Sequence, residues 1–409
     1  MKHLLSTVTV SMVLLLSSCT SRQEFTMSKD VLQDKIKGGW AGQIIGVVYG
    51  VPVEFVYCGV TAPDTMRFEW NSKPMTGVGD DDLMFDMLFT QIYDRLGLDA
   101  PVDSFAVAFA KDGGGCHSNH CSHNNLRRGI MPPETGHWRN NPHADDIDYR
   151  IDADFSGIMS PGMPNAVAEI SDKIGHILSF GDGWYGGLYV GAMYSLAYVS
   201  NDIPFVVTEA LKTVPEQSRF YQTVQSAIEG WKTYPDDWKK AWAICQERWG
   251  AADLCPAAYD IPFNIDASLN TAYVVIGLLY GNGDFIKTID IATRCGQDTD
   301  CNASAAGGIL GVMFGYSSLP EEMLASLHPA EAVPVSDRLP VSFNDVYRMS
   351  FDLALQMIER NGGKTGKKEV TIKCQQPATV RFEQSFEGVK PVARLPVHQN
   401  ISDFKEFEV

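Results

Sequence analysis

Basic side chains are scarce in this sequence: 33 Lys and Arg stand against 50 Asp and Glu, a formal charge of −17 over 409 residues. That balance excludes a nucleic-acid partner, because binding a polyphosphate needs a basic footprint that displaces counter-ions. Small anionic substrates are not excluded, since a bound cation reverses the local field. The N-terminal apolar stretch, residues 8–16, is too short to span a bilayer as a mature helix. Lys2 precedes it and Leu16-Ser17-Ser18-Cys19 closes it, so residues 1–19 read as an export signal ending in a bacterial lipobox. On that reading Cys19 carries a lipid, residues 20–29 are tether, and the chain sits in the bacterial envelope, touching the membrane only through the anchor. A simple zinc spacing is also missing. Cys116 and Cys121 supply none; with His117, His120 and His123 between and after them they could bind a soft metal, but contact of the imidazoles with substrate is the preferred reading. Export permits disulfides, but sequence assigns no pair among the eight cysteines after Cys19.

What the chain has instead is acid in two knots. One is Cys295-Gly296-Gln297-Asp298-Thr299-Asp300-Cys301, which runs into a small-residue apolar stretch. Asp298 and Asp300 are two apart, so they share a direction only in a turned or extended backbone. The other is Asp80-Asp81-Asp82, leading into Leu83, Met84 and Phe85. Acidic side chains are favoured at a helix N-terminus even without a metal. Two adjacent carboxylates still repel unless a cation, a shared proton or an arginine lies between them. The expectation is that the knots meet around one or two hard divalent cations, since oxygen ligands suit magnesium, manganese or calcium better than zinc.

Around these knots the pattern is helical. Leu32, Ile36, Trp40 and Ile44 form an apolar stripe, while Gly38, Gly42, Gly46 and Gly50 recur every four residues. Gly307, Gly308, Gly311 and Gly315 repeat the device, so two smooth helices are expected to pack closely. Pro52 ends the first helix and leaves Glu54 among apolar neighbours, where a raised pKa would suit an acid. Residues 112–165 show no periodicity and read as a loop forming a pocket wall, with His117, Asn119 and His120 as substrate contacts. Asp182 beside Trp184 and Tyr185 reads as part of a sugar or nucleoside pocket, with aromatic core packing an equal alternative. Residues 266–280 are apolar almost all round and should be central. The helical domain is expected over 30–362, followed by a small β-rich appendage over 363–409, with strands at 368–372 and 378–383.

Gly38-Gly39-Trp40-Ala41-Gly42-Gln43-Ile44-Ile45-Gly46 with Val51-Pro52-Val53-Glu54-Phe55, then Asp80-Asp81-Asp82-Leu83-Met84, then Gly296 to Cys301, together resemble the ADP-ribosylglycohydrolase superfamily. The resemblance spans residues 30–360. It implies an all-α, multi-helix bundle and metal-dependent cleavage of ribosyl and related glycosidic bonds. It matches Asp80 and Asp81 to adjacent magnesium-binding aspartates, with Asp82 on the following Thr and Gly79 where a ligating Thr usually stands. A slip of one residue would put Asp80 there instead. Asp298 and Asp300 match the second ligand pair, and Cys301 replaces a ligating Thr although a thiol is a poor magnesium ligand. The implied metal set is Asp80, Asp81, Asp82, Asp298, Asp300 and Cys301, with magnesium first and manganese or calcium as alternatives. Glu54, Asp81 and Asp298 are the catalytic candidates. The expected activity is hydrolysis of a glycosidic bond in a ribosyl, nucleoside-like or glycan small molecule. The alternative is a lipid-anchored glycan- or nucleoside-binding protein of the same fold without turnover.

Overall fold

Two glycine stripes set the architecture. The computed structural model describes residues 24–70, 81–112, 115–256 and 262–388. The first three periodic stretches form α1 (Lys29–Gly50), α2 (Asp81–Leu96) and α3 (Val102–Asp112). Ser28 caps α1 by accepting from the Val31 N–H, and a 3-10 turn at Val51–Val53 with Pro52 at its start ends it. Residues 112–165, expected as loop, instead carry α4 (His117–Arg127), α5 (Asp148–Ile151) and α6 (Asp154–Ile158). Then come α7 (Pro164–Ile174), α8 (Asp182–Ala197), α9 (Ile203–Leu211), α10 (Arg219–Thr233) and α11 (Trp238–Trp249). The chain continues through α12 (Ala267–Gly281), α13 (Phe285–Arg294), α14 (Thr299–Phe314), α15 (Glu321–Leu327) and α16 (Phe343–Arg360). The fold is all-α, and none of these helices is long and apolar enough to cross a membrane.

Every residue of α8 and α12, and all of α14 but Phe314, is buried. Helices enclosed on all sides need no polar face, which is why their sequences show no stripe. α1 lies along α14 in the opposite direction. A methyl carbon added at Gly38, Gly42, Gly46 or Gly50 would overlap the carbonyl oxygens of Gly311, Gly307, Ala303 and Thr299 in turn. Each glycine costs a helix about 1 kcal/mol relative to alanine. Only backbone-to-backbone packing explains four of them in register. The seam delivers the last turn of α1 onto the first turn of α14, where Thr299 Oγ1 donates to the Gly50 carbonyl at 2.9 Å.

α4 escaped sequence detection because its buried face is polar. Ser118, Asn119, Ser122 and Asn125 are buried. Asn125 Nδ2 donates to the carbonyls of Thr135 and Asn140, and Asn141 Nδ2 donates to Ser118 Oγ at 2.7 Å. Satisfied hydrogen bonds replace the apolar stripe.

The only regular β structure among the described residues is a three-stranded antiparallel sheet, β1 (Glu24–Ser28), β2 (Lys364–Thr365) and β3 (Glu369–Lys373), in the order β1-β3-β2. Glu24 pairs with Lys373 and Ser28 with Glu369. Residues 24–28 are therefore a strand, not tether, and the C-terminal hairpin is closed by an N-terminal strand. Residues 378–383 form no strand. Their Val380 N–H instead bonds the Thr213 carbonyl. Cys19 and residues 389–409 lie outside the described residues.

Candidate metal centre

The α1–α14 seam places three acidic elements together. Gln297 has a left-handed φ of 60°. Its backbone exchanges hydrogen bonds with Phe55 N and Tyr57 O, both at 2.9 Å, and its side chain holds Asn264 N and Pro262 O. The loop carrying Glu54 is thereby fastened to the turn carrying Asp298. Asp298 stands at the N-cap of α14 without capping it, and Asp300 and Cys301 occupy its first turn. Asp81 and Asp82 begin α2. Cys301 Sγ donates to Asp82 Oδ1 at 3.0 Å, so the two knots meet. Asp80 lies outside the described residues.

Bulk water is kept out: Asp82, Asp298 and Asp300 are 1%, 3% and 4% exposed. Burial, and then Asp298 beside it, pushes the Asp300 carboxyl up to about 9, and burial pushes Asp298 up to about 6. Glu54 is exposed at the mouth, and partial desolvation followed by the Asp300 and Asp81 charges raises its carboxyl. Solvent tempers that shift. Cys301 is driven well above the ordinary thiol range by burial, then by Asp298, Asp82 and Asp300. It therefore stays protonated and serves Asp82 as a donor. Its sulfur also stands with Asp298 and Asp300 in a group whose ligand atoms lie within 4.8 Å of one another, as the expected metal-ligand role requires, although a thiol is a poor ligand for magnesium.

Asp148 and Asp152, on and just after α5, join the cluster and were not singled out from sequence. Burial raises Asp152 well above its ordinary value, and Asp81 is the next contributor. Asp148 is likewise pushed up to about 7 by burial and then by Asp146, while its Oδ1 accepts from the Asn119 N–H at 2.8 Å. Their spacing of four on one short helix was the available signal. Between them Arg150, wholly buried, donates to the Cys301 carbonyl and to Asn302 Oδ1 at 2.8 and 2.7 Å.

These oxygens fit a hard cation. Asp298 Oδ1, Asp300 Oδ1, Asp148 Oδ2 and both Asp152 oxygens are buried without a hydrogen-bond partner among the described residues. Arg150 is engaged with a carbonyl and an amide, so it does not bridge them. Asp298 and Asp300 hydrogen-bond each other and so share a proton when no metal is bound; once both ionise, the oxygens without partners are costly unless a cation accepts them. The donor set is oxygen-rich, as magnesium, manganese or calcium requires.

The pocket wall is only partly where sequence placed it. Asn119 lies beside Asp81: a methyl on Gly115 would sit 3.4 Å from Asp81 Oδ2 and 3.6 Å from Asn119 Cβ, and both amide atoms of Asn119 are buried without partners. His120 is exposed. His117 turns instead toward Asp146 at 3.4 Å. Asp182, Trp184 and Tyr185 do not join the acidic centre. α8 is enclosed on all sides, so Trp184 and Tyr185 are core: Trp184 Nε1 donates to the Ser171 carbonyl and Tyr185 Oη to the carbonyls of Arg381 and Glu383. Asp182 binds Arg219 at 2.7 Å in a separate 270 Å³ cleft.

The family described as ADP-ribosylglycohydrolase matches residues 28–350. No curated protein matches. Among solved structures, the chain is similar to one titled "ADP-ribosylglycohydrolase-related protein complex", at 13% identity and a TM-score of 0.54, covering 80% of this chain and 99% of that one. At that identity the likeness is one of fold.

Proposed function

The chain belongs to the ADP-ribosylglycohydrolase family, hydrolases that are typically dependent on a divalent cation, and we propose that it cleaves a glycosidic bond in a ribosyl, nucleoside-like or glycan substrate. The observation that carries this reading is the set of buried, partnerless carboxylate oxygens on Asp298, Asp300 and Asp152 beside the exposed Glu54. Asp81, Asp82, Asp298 and Asp300 would hold the cation, with magnesium the first choice and manganese or calcium next. On the one-residue slip, Asp81 and Asp82 would form the adjacent pair and Asp80 would fill the place of the family's threonine. Once bound, the cation supplies Lewis acidity and offsets carboxylate repulsion.

The protein's own groups divide the proton work. Glu54, exposed at the mouth with its carboxyl raised, donates its proton to the leaving oxygen as the anomeric C–O bond breaks. Asp81, half-buried and near enough for its charge to raise Glu54, takes a proton from the water whose oxygen joins the anomeric carbon. Asp298 fixes the floor, and Asn119, with free amide atoms beside Asp81, holds a substrate hydroxyl. The proposed location is the bacterial envelope, supported by the lipobox at Cys19. Incorporation of labelled palmitate, lost in Cys19→Ser, tests it.

The test of activity is release of product from a panel of ADP-ribosyl, nucleoside and glycoconjugate substrates with and without magnesium. Magnesium-dependent release that disappears in Asp298→Asn is expected. Full turnover in that variant overturns the assignment. Saturable binding with no release from any substrate leaves the glycan-binding alternative.

A further inference from the structure

Beside the acidic centre, three distant segments converge on a second set of donors of different chemistry. His117 Nδ1 from α4, His143 Nδ1 and Asp146 Oδ2 from the turn before α5, and Cys255 Sγ lie within 4.8 Å of one another. Cys255 Sγ is 3.0 Å from Asp146 Oδ2, 3.3 Å from His143 Nδ1 and 3.8 Å from His117 Nδ1. His143 Nδ1 is 2.8 Å and His117 Nδ1 3.4 Å from that same carboxylate oxygen. The geometry points to a four-coordinate site for zinc, or a transition metal of similar softness, formed by His117, His143, Asp146 and Cys255.

Two features favour a metal over the obvious rival, a thiol nucleophile activated by histidine. A relay needs the thiol on one ring nitrogen and the carboxylate on the other. Here Cys255 and Asp146 both face Nδ1 of His143, so no proton can pass through the ring between them. In addition, three donors crowd the single oxygen Asp146 Oδ2. Two imidazoles, a thiol and a carboxylate whose four donor atoms all lie within 4.8 Å of one another form a set that a single ion can hold. Zinc bonds of about 2.0–2.1 Å to nitrogen or oxygen and about 2.3 Å to sulfur imply tetrahedral edges of roughly 3.3–3.6 Å; the observed separations of 2.8–3.8 Å bracket that range, so loading would open the two shortest contacts, His143–Asp146 and Cys255–Asp146, by about half an ångström.

The surroundings match a closed, structural site. Asp146 and Cys255 are buried, and the two imidazole side chains are only 20% and 15% exposed. Asp253 fixes the Cys255 turn by accepting from the N–H groups of Cys255 and Ile265 at 2.7 and 2.9 Å. Asn141 Oδ1 accepts from the His143 N–H at 3.0 Å. Phe263 stacks on His117 and touches Phe55, the residue after Glu54. A metal here would pin α4, the α5 turn and the 255 segment together as one wall of the acidic cleft. Sulfur and imidazole ligands select against magnesium, so the two centres would take different metals.

The test uses the full chain, stripped with chelator, reloaded with zinc, dialysed and measured by plasma mass spectrometry. One zinc per chain is expected, reduced at least tenfold in Cys255→Ser and His143→Ala and retained in Asp298→Asn. Loading with cobalt(II) should give a thiolate-to-metal absorption band that survives Cys301→Ser and is absent in Cys255→Ser, and circular dichroism of each variant confirms folding. No retained zinc in the wild-type chain overturns the proposal. So does zinc that stays in Cys255→Ser and His143→Ala but leaves with Asp298→Asn, or alkylation of Cys255 at the same rate with and without zinc.

Discussion

The acidic centre and the His117–Cys255 cluster are neighbours built on opposite principles. The first gathers oxygens from helix starts, with Asp82 at the head of α2 and Asp298 and Asp300 at the head of α14. Helix N-termini favour negative charge, so part of its assembly is local. The second draws on the first residue of α4, a turn near residue 143 and a segment near residue 255; a helix start favours anions, so it gives no help in gathering the imidazole of His117. It depends on the tertiary fold alone. Hard donors gathered by local physics and soft donors gathered by topology therefore sit side by side, and each substitution below should disturb one without the other.

The largest effect is expected along the glycine seam. Gly46→Val puts a side chain into the Ala303 carbonyl and the Ser304 nitrogen, where only backbone could move. The cost should exceed the roughly 1–3 kcal/mol of ordinary overpacking. Soluble yield and the thermal midpoint would show it, and a variant that folds as stably as wild type would mean the helices do not touch there. Because the seam carries α14 and not the second cluster, a partly folded product should lose magnesium response before zinc.

Next comes Asp300→Asn. Removing a carboxylate raised by burial and by Asp298 should cut turnover by more than the roughly 10–100-fold typical of outer-shell changes. The same change should raise the melting temperature of the metal-free protein at neutral pH, since an amide does not have to take up the proton that the buried Asp300 carboxyl must bind there. Bound zinc should stay unchanged. Loss of activity together with loss of stability would instead make Asp300 a structural residue.

How much of this was visible in sequence follows from the same contrast. The seam and the knots were legible because they recur at helical spacing or sit within seven residues, as Gly38 to Gly50 and Cys295 to Cys301 do. Asp266–Tyr280 was read as central for its lack of a polar face, and α12 is buried throughout. The unread parts are those whose partners are tertiary. α4 buries Ser118 and Asn125 rather than leucines, so no apolar period marks it. Trp184 and Tyr185 beside Asp182 carry the composition of a sugar pocket, yet enclosure of α8 makes them core. His117 was grouped with its sequence neighbours Cys116 and Cys121, whereas its contacts lie 26, 29 and 138 residues away at His143, Asp146 and Cys255.

A smaller, graded effect should separate the centres by pH. Asp298 and Asp300 have folded pKa values raised to about 6 and about 9, above the unfolded value near 3.9. The metal-free native state thus binds more protons than the unfolded chain over this range, and its stability should fall as pH rises from about 4 to 9. A cation needs the same carboxylates deprotonated, so stabilisation by magnesium should grow over that window. Thermal shifts with magnesium at pH 5.5 and 8.5 would measure it, and Asp300→Asn should flatten the difference. A magnesium shift that is equal at both pH values would remove these two aspartates from the cation's ligand set.

The smallest effect is expected from the same substitution that should be decisive in the neighbouring cluster. Cys301 is a protonated donor to Asp82 in the structure, and a serine hydroxyl can donate in its place. Cys301→Ser should therefore keep magnesium-dependent turnover within about threefold, whereas Cys301→Ala, which leaves Asp82 short of a donor, should weaken magnesium by about tenfold. Cys255→Ser removes a thiolate for which oxygen is a poor substitute toward zinc, and should lose the metal. One atom changed in each of two cysteines thus gives opposite outcomes if one sulfur only orients a carboxylate and the other binds the ion. Should Cys301→Ser abolish magnesium-dependent turnover as fully as Asp300→Asn, sulfur would be a ligand in both centres, and the division between hard and soft sites would fail at that residue.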